Sequence, residues 1–207
     1  MFKNFMRNKA MCKKNGKIIV GVCSTHKGAG ATHFSMMLGT YLSEWLGLKT
    51  AFIDFNHVEG LADLKDYFLQ DSKTDAGNHF TVGRITFYNK ENLNRLSEII
   101  GGEADCIILD LGSELLENMD EFLRCDFKIV VSSLAVWKQY KLNRFLDTVS
   151  ESFMKSDWKY IIPFVDDKTL KDGISTYRIH LCQMPYHPDP FIINPPVIHF
   201  FERILQR

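Results

Sequence analysis

Residues 17–32, KIIVGVCSTHKGAGAT, constrain the fold more than any other stretch of the chain. Ile18, Ile19, Val20 and Val22 form a continuous apolar run, the mark of a strand buried on both faces. Gly28 and Gly30 follow in a short loop. Phe34, Met37, Leu38, Tyr41, Leu42 and Trp45 then recur at helical spacing. A strand that passes through a glycine loop straight into a helix presents the helix's free N–H groups to an anion. Loops of this layout bind phosphate, and they carry a lysine immediately before a Ser or Thr. Here Thr32 is present, but Ala31 stands where the lysine belongs.

The rest of the chain extends the same architecture. Apolar strands are expected over 17–23, 50–54, 106–111, 127–132 and 160–165, with a weakly alternating strand over 79–88 and a short one over 178–181. Helices are expected over 32–46, 60–69, 91–101, 138–152 and from Pro195-Pro196 to Leu205, and a polar loop over 72–78. Continuous apolar strands alternating with helices imply a doubly wound, mostly parallel α/β domain with helices on both faces, a three-layer α/β/α sandwich. We expect one domain over 17–207 behind a basic tail, 1–16.

The 25 basic and 25 acidic residues balance, so no global charge draws the chain to nucleic acid or membrane. The charge is uneven, however. Lys3, Arg7, Lys9, Lys13, Lys14 and Lys17 precede the first acid, Glu44. That tail is the one segment suited to a membrane surface, DNA or an acidic partner, and a solvated extension is the plainer reading. No segment has the length and apolarity of a membrane span. Five dispersed cysteines with no CxxC pair point to a reducing cytoplasm rather than to disulfides or zinc.

The loop resembles the deviant Walker A loop of the ParA/MinD-type P-loop NTPases, whose pattern is GKGGxGK[ST][ST]. Aligned on Gly30 and Thr32, Thr25 and Lys27 replace glycines, His26 replaces the signature lysine and Ala31 the phosphate-binding lysine. Downstream, AFIDFN resembles the family's Asp-x-Asp strand, with Asp54 as its first aspartate and Asn56 in place of the second. CIILDLG resembles the Walker B strand ending in Asp110, and ILDLGS is most like the TadZ/CpaE branch, which serves pilus assembly and polar localisation. YIIPFVDD lacks the asparagine that reads adenine in the family. The resemblance spans about residues 17–205.

It implies a nucleotide site of Lys27, Gly28, Ala29, Gly30, Ala31, Thr32 and His33, with Thr32, Asp54 and Asp110 around Mg²⁺. It also implies ATP or ADP as ligand, a homodimer, and protein partners in an assembly or polar-localisation system, cytoplasmic or peripheral to the inner face of the membrane. The absent charges at 31 and 56 argue against turnover, since phosphoryl transfer relies on positioned charge. The leading expectation is a pseudo-ATPase scaffold with ATP as a structural ligand at most. An active ATPase using Lys27 as substitute lysine and a nucleotide-free interaction module stand beside it. Of the loop histidines, His33 is expected to pack in the first helical turn and His26 to be solvated. Ser24 and Thr25 lie in no nucleophile elbow.

Overall fold

The computed structural model describes residues 16–56, 59–69, 79–89, 96–150 and 157–206. Residues 1–15 of the basic tail, the expected loop over 72–78, the start of the helix expected from 91 and Cys12 lie outside them.

Strand β1 (Ile18–Ser24) leads into helix α1 (Ala31–Thr40), which ends in a π-helical turn over Tyr41–Trp45. Then follow β2 (Thr50–Asp54), α2 (Glu59–Leu69), the hairpin β3 (His79–Val82) and β4 (Ile85–Tyr88), and α3 (Leu96–Gly101). Strand β5 (Cys106–Gly112) passes through a 3₁₀ turn at Leu115–Asn118 into α4 (Met119–Leu123). The chain closes with β6 (Phe127–Val131), α5 (Gln139–Ser150), β7 (Trp158–Ile162), α6 (Asp167–Tyr177), β8 (Leu181–Gln183) and α7 (Pro195–Ile204).

The strands form one sheet in the order β3-β4-β2-β5-β1-β6-β7-β8. All neighbours are parallel except β3 with β4. Successive strand residues feed opposite cores, as the pleat requires. Val20, Val22, Ile108, Ile129 and Val131 pack toward α1 and α7, while Cys23, Ile107, Leu109, Val130 and Ile162 pack with Phe122, Leu142 and Val149. Helices thus cover both faces of the sheet, the expected three-layer α/β/α arrangement.

The closing helix docks on the first core. Phe201 stacks on Tyr41 with ring centroids 5.1 Å apart and meets Phe34 edge-on at 5.6 Å. Its start is set locally: the Asn194 side chain accepts from Val197 N–H at 3.0 Å, just ahead of two prolines that cannot donate.

Two expectations are corrected, and one helix is added to them. The strand expected over 79–88 is two, because Gly83-Arg84 turn the chain into a hairpin that stacks Phe80 on Phe87. Helix α6 was not anticipated. Its polar composition and internal Gly173 hide it, yet Asp166 caps it by accepting from Thr169 N–H at 2.9 Å. Gly173 is needed there, since a Cβ would come within 2.7 Å of Leu134. The strand expected over 178–181 lies at 181–183, because Arg178 takes the left-handed C-cap of α6. Among the described residues, no helix is long and apolar enough to cross a membrane.

Candidate nucleotide site

The site lies where the central strands β5, β1 and β6 end. Thr25 N–H donates to the Val131 carbonyl at 3.0 Å, and its hydroxyl lies 2.9 Å from that of Ser132. These contacts pin the exit of β1 to its neighbour. Ser24 is buried, with its hydroxyl within reach of the His26 and Gly112 carbonyls at 3.1 and 3.2 Å. Both hydroxyls therefore brace the loop.

His26 is corrected. It is 7% exposed, and its Nδ1 sits 3.0 Å from the Thr25 hydroxyl. Burial, then Lys138 and Lys141, hold its imidazole below the ordinary histidine range. His33 is half-buried in the first turn of α1, with Nε2 2.9 Å from the His187 carbonyl. Lys27 and Gly28 are exposed at the loop tip, while Ala29 and Ala31 are buried.

Gly30 caps α1 at φ 102°, where a Cβ would be strained. It offers no side-chain cap, and the first helical bond runs from Phe34 N–H to the Gly30 carbonyl at 2.9 Å. The N–H groups of residues 31–33 precede the ladder, so the positive end of the helix faces the loop. Ala31 is 5% exposed and packs in the core beneath it, contributing no charge.

The two aspartates meet through sheet topology. Asp54 and Asp110 are paired across the parallel β2–β5 ladder, although 56 positions separate them in the chain. Against β1, the register skips Leu111 between Val22 and Cys23, an irregularity at the end of the Asp110 strand. Asp110 is 0% exposed. Its carboxylate accepts from Gly112 N–H at 3.3 Å, while among the described residues Oδ2 has no hydrogen-bond partner. Burial pushes the carboxyl up to about 7. Asp54 adds to the rise, and Thr32 and the Gly112 N–H oppose it. Asn56 donates its N–H to Asp54 at 2.7 Å, and its side chain fills the space beside Gly112, which has φ 58°.

Next to Gly30 lies a hollow of about 390 Å³, lined by His33, Pro163, Phe164, Met184, Tyr186 and His187, among others. Phe164 is 84% exposed and has φ 52°, a costly backbone state for a bulky residue, and its ring lies 5.5 Å from that of Tyr186. Sequence periodicity does not mark this pair; the Pro163-Phe164 break after β7 is its one local signal. Asp166 is taken up by its capping bonds to Thr169.

A mostly parallel sheet with a glycine loop leading from its central strand into a helix is a phosphate-binding α/β architecture. Comparison with solved structures places it more closely. A plasmid partition protein from Borrelia burgdorferi B31, bound to AMPPNP, superposes with a TM-score of 0.64 at 16% identity, over 92% of this chain and 97% of that one. The Aquifex aeolicus cell division protein MinD gives 0.59 at 17%, over 90% and 86%. Mycobacterium smegmatis cobyrinic acid a,c-diamide synthase gives 0.62 at 17%, over 91% and 92%. No protein-family model and no curated protein sequence matches the chain. The chain has the fold of the ParA/MinD-type P-loop ATPases.

Proposed function

We propose that this protein is a nucleotide-holding scaffold of the ParA/MinD type, in which bound ATP orders a surface and is cleaved rarely or never. One observation carries the reading: the buried Asp110 keeps an unpartnered oxygen beside Thr32, at the uncapped start of α1. An orphaned buried carboxylate oxygen is costly unless a ligand meets it. These residues fit a magnesium-bound phosphate. Thr32 and Asp110 would hold the ion with Asp54 behind them, and the N–H groups of residues 31–33 would hold the phosphate. The metal would neutralise phosphate charge. Supporting examples of the same fold carry AMPPNP in the Borrelia protein and an ATP analogue with magnesium in the synthase.

Rare cleavage follows from what the chain lacks. Ala31 supplies no cation, and the Asn56 amide cannot accept a proton from attacking water as a carboxylate can. Losing one such charge costs about 10²–10³ in rate. The base would rest in the hollow that Phe164 and Tyr186 line. Action would then come through self-association and partner binding, as MinD of Aquifex aeolicus is seen in complex with MinC. The likeness of ILDLGS to TadZ/CpaE proteins supports an assembly or polar-localisation role, at the inner face of the membrane or in the cytoplasm.

Calorimetric titration with Mg-ATP, followed by phosphate release on the same sample, tests the reading. Binding that Thr32→Ala weakens, with no release, is the expected result. Sustained release abolished by Lys27→Ala would establish an active ATPase instead, and absence of binding at millimolar ATP would leave an interaction module.

A further inference from the structure

A second groove, of about 440 Å³, adjoins the loop and shares no lining residue with the aromatic hollow. Thr25, His26 and Lys27 form its loop wall, and Lys141 and Arg144 of α5 its far wall. Residues three apart share a helix face, so both α5 side chains line the groove, with the Lys141 ammonium 5.0 Å from the centre of the neighbouring Tyr140 ring. Leu115, Leu116, Phe145 and Val149 supply the apolar part of its lining. Glu114 is the one acid among its lining residues, and its carboxylate accepts from the Ser113 hydroxyl at 3.2 Å. Among the described residues, Lys27, Lys141 and Arg144 make no ion pair. The positive field reaches the loop itself, because Lys138 and Lys141 both act on His26.

Three cations from two elements line one hollow, against a single carboxylate. A ligand that satisfies them must carry several negative charges at short spacing. We infer that this groove seats the terminal phosphates of a polyphosphate chain, with Lys27, Lys141 and Arg144 supplying the charge that Ala31 no longer provides. The inference rests on the nucleotide-holding reading above. It extends that reading by adding two cations of α5 to the Lys27 of the loop. It also sets a specificity: affinity rises with the number of phosphates, and AMP gains nothing from the groove.

The test is calorimetry on the full chain with Mg-ATP, Mg-ADP, AMP and magnesium tripolyphosphate. Lys141→Ala/Arg144→Ala is expected to weaken ATP and tripolyphosphate by roughly fivefold per cation, about 25-fold in all, and to leave AMP unchanged. Lys141→Arg retains most of the affinity, and circular dichroism confirms that each variant is folded. If the double variant binds ATP and tripolyphosphate like the wild type while Thr32→Ala loses both, the groove is refuted and the nucleotide reading stands. If tripolyphosphate binding depends on Lys141 and Arg144 but ATP binds no tighter and ignores Thr32→Ala, the groove holds free polyphosphate and the nucleotide reading fails. If the wild type binds neither ligand, both fail.

Discussion

Asp110 makes the stability of this fold depend on pH in a calculable way. The carboxyl sits at 0% exposure with one oxygen unpartnered, and burial raises it from 3.8 to about 7. The folded chain therefore holds a proton that the unfolded chain releases near pH 4. With the folded value above the unfolded one, the native state is favoured at low pH and penalised as pH rises. At about 1.4 kcal/mol per pH unit, the full penalty is at most about 4 kcal/mol, complete above pH 7. Roughly 2.5 kcal/mol of it develops between about pH 5 and about pH 8. Asp110→Asn cannot ionise and removes that slope. Urea denaturation of both proteins in EDTA, at several pH values across this window, reads the effect. Wild-type stability should fall relative to the variant by roughly 2.5 kcal/mol from the acidic to the basic end. Parallel stability curves would show that Asp110 titrates normally, and the argument for a buried, orphaned carboxylate would collapse.

Other positions give sharper local tests. Phe164→Gly removes a bulky residue from left-handed backbone and should stabilise the fold by up to about 1 kcal/mol in thermal melts, while weakening nucleotide in the same titrations. Gly112→Ala puts a Cβ on the Asn56 side chain at φ 58° and should cost roughly 2–3 kcal/mol in urea denaturation. Adding Asn56→Ala should return the part due to overlap, and no recovery would mean that backbone strain dominates. Asn194→Ala removes the cap of α7 and should cost about 1 kcal/mol, seen as a melting temperature lower by about 2–4 °C.

The parts of this molecule legible in its sequence are those governed by short periods. The apolar runs at 18–22 and 106–111 read as two-faced strands, and β1 and β5 are buried on both sides. The spacing of Phe34, Met37, Leu38 and Tyr41 reads as one buried helix face, and Pro195-Pro196 marks the start of α7. Such signals survive because a strand repeats every two residues and a helix every 3.6, so a few neighbours suffice. Helix α6 escaped because its informative residue, Gly173, answers to Leu134 and Leu181, which lie far from it in the chain.

What tertiary structure alone decided is which distant segments share an edge. Strand order sets β2 beside β5 and so brings Asp54 level with Asp110, and it sets β6 beside β1 and so buries His26 rather than leaving it in solvent. It also carries Lys141 and Arg144 to Lys27, and Tyr186 to Phe164. The sequence by itself determined a phosphate-type loop missing its lysine. Crossover connections, which local periodicity does not encode, decided which cations and rings surround that loop.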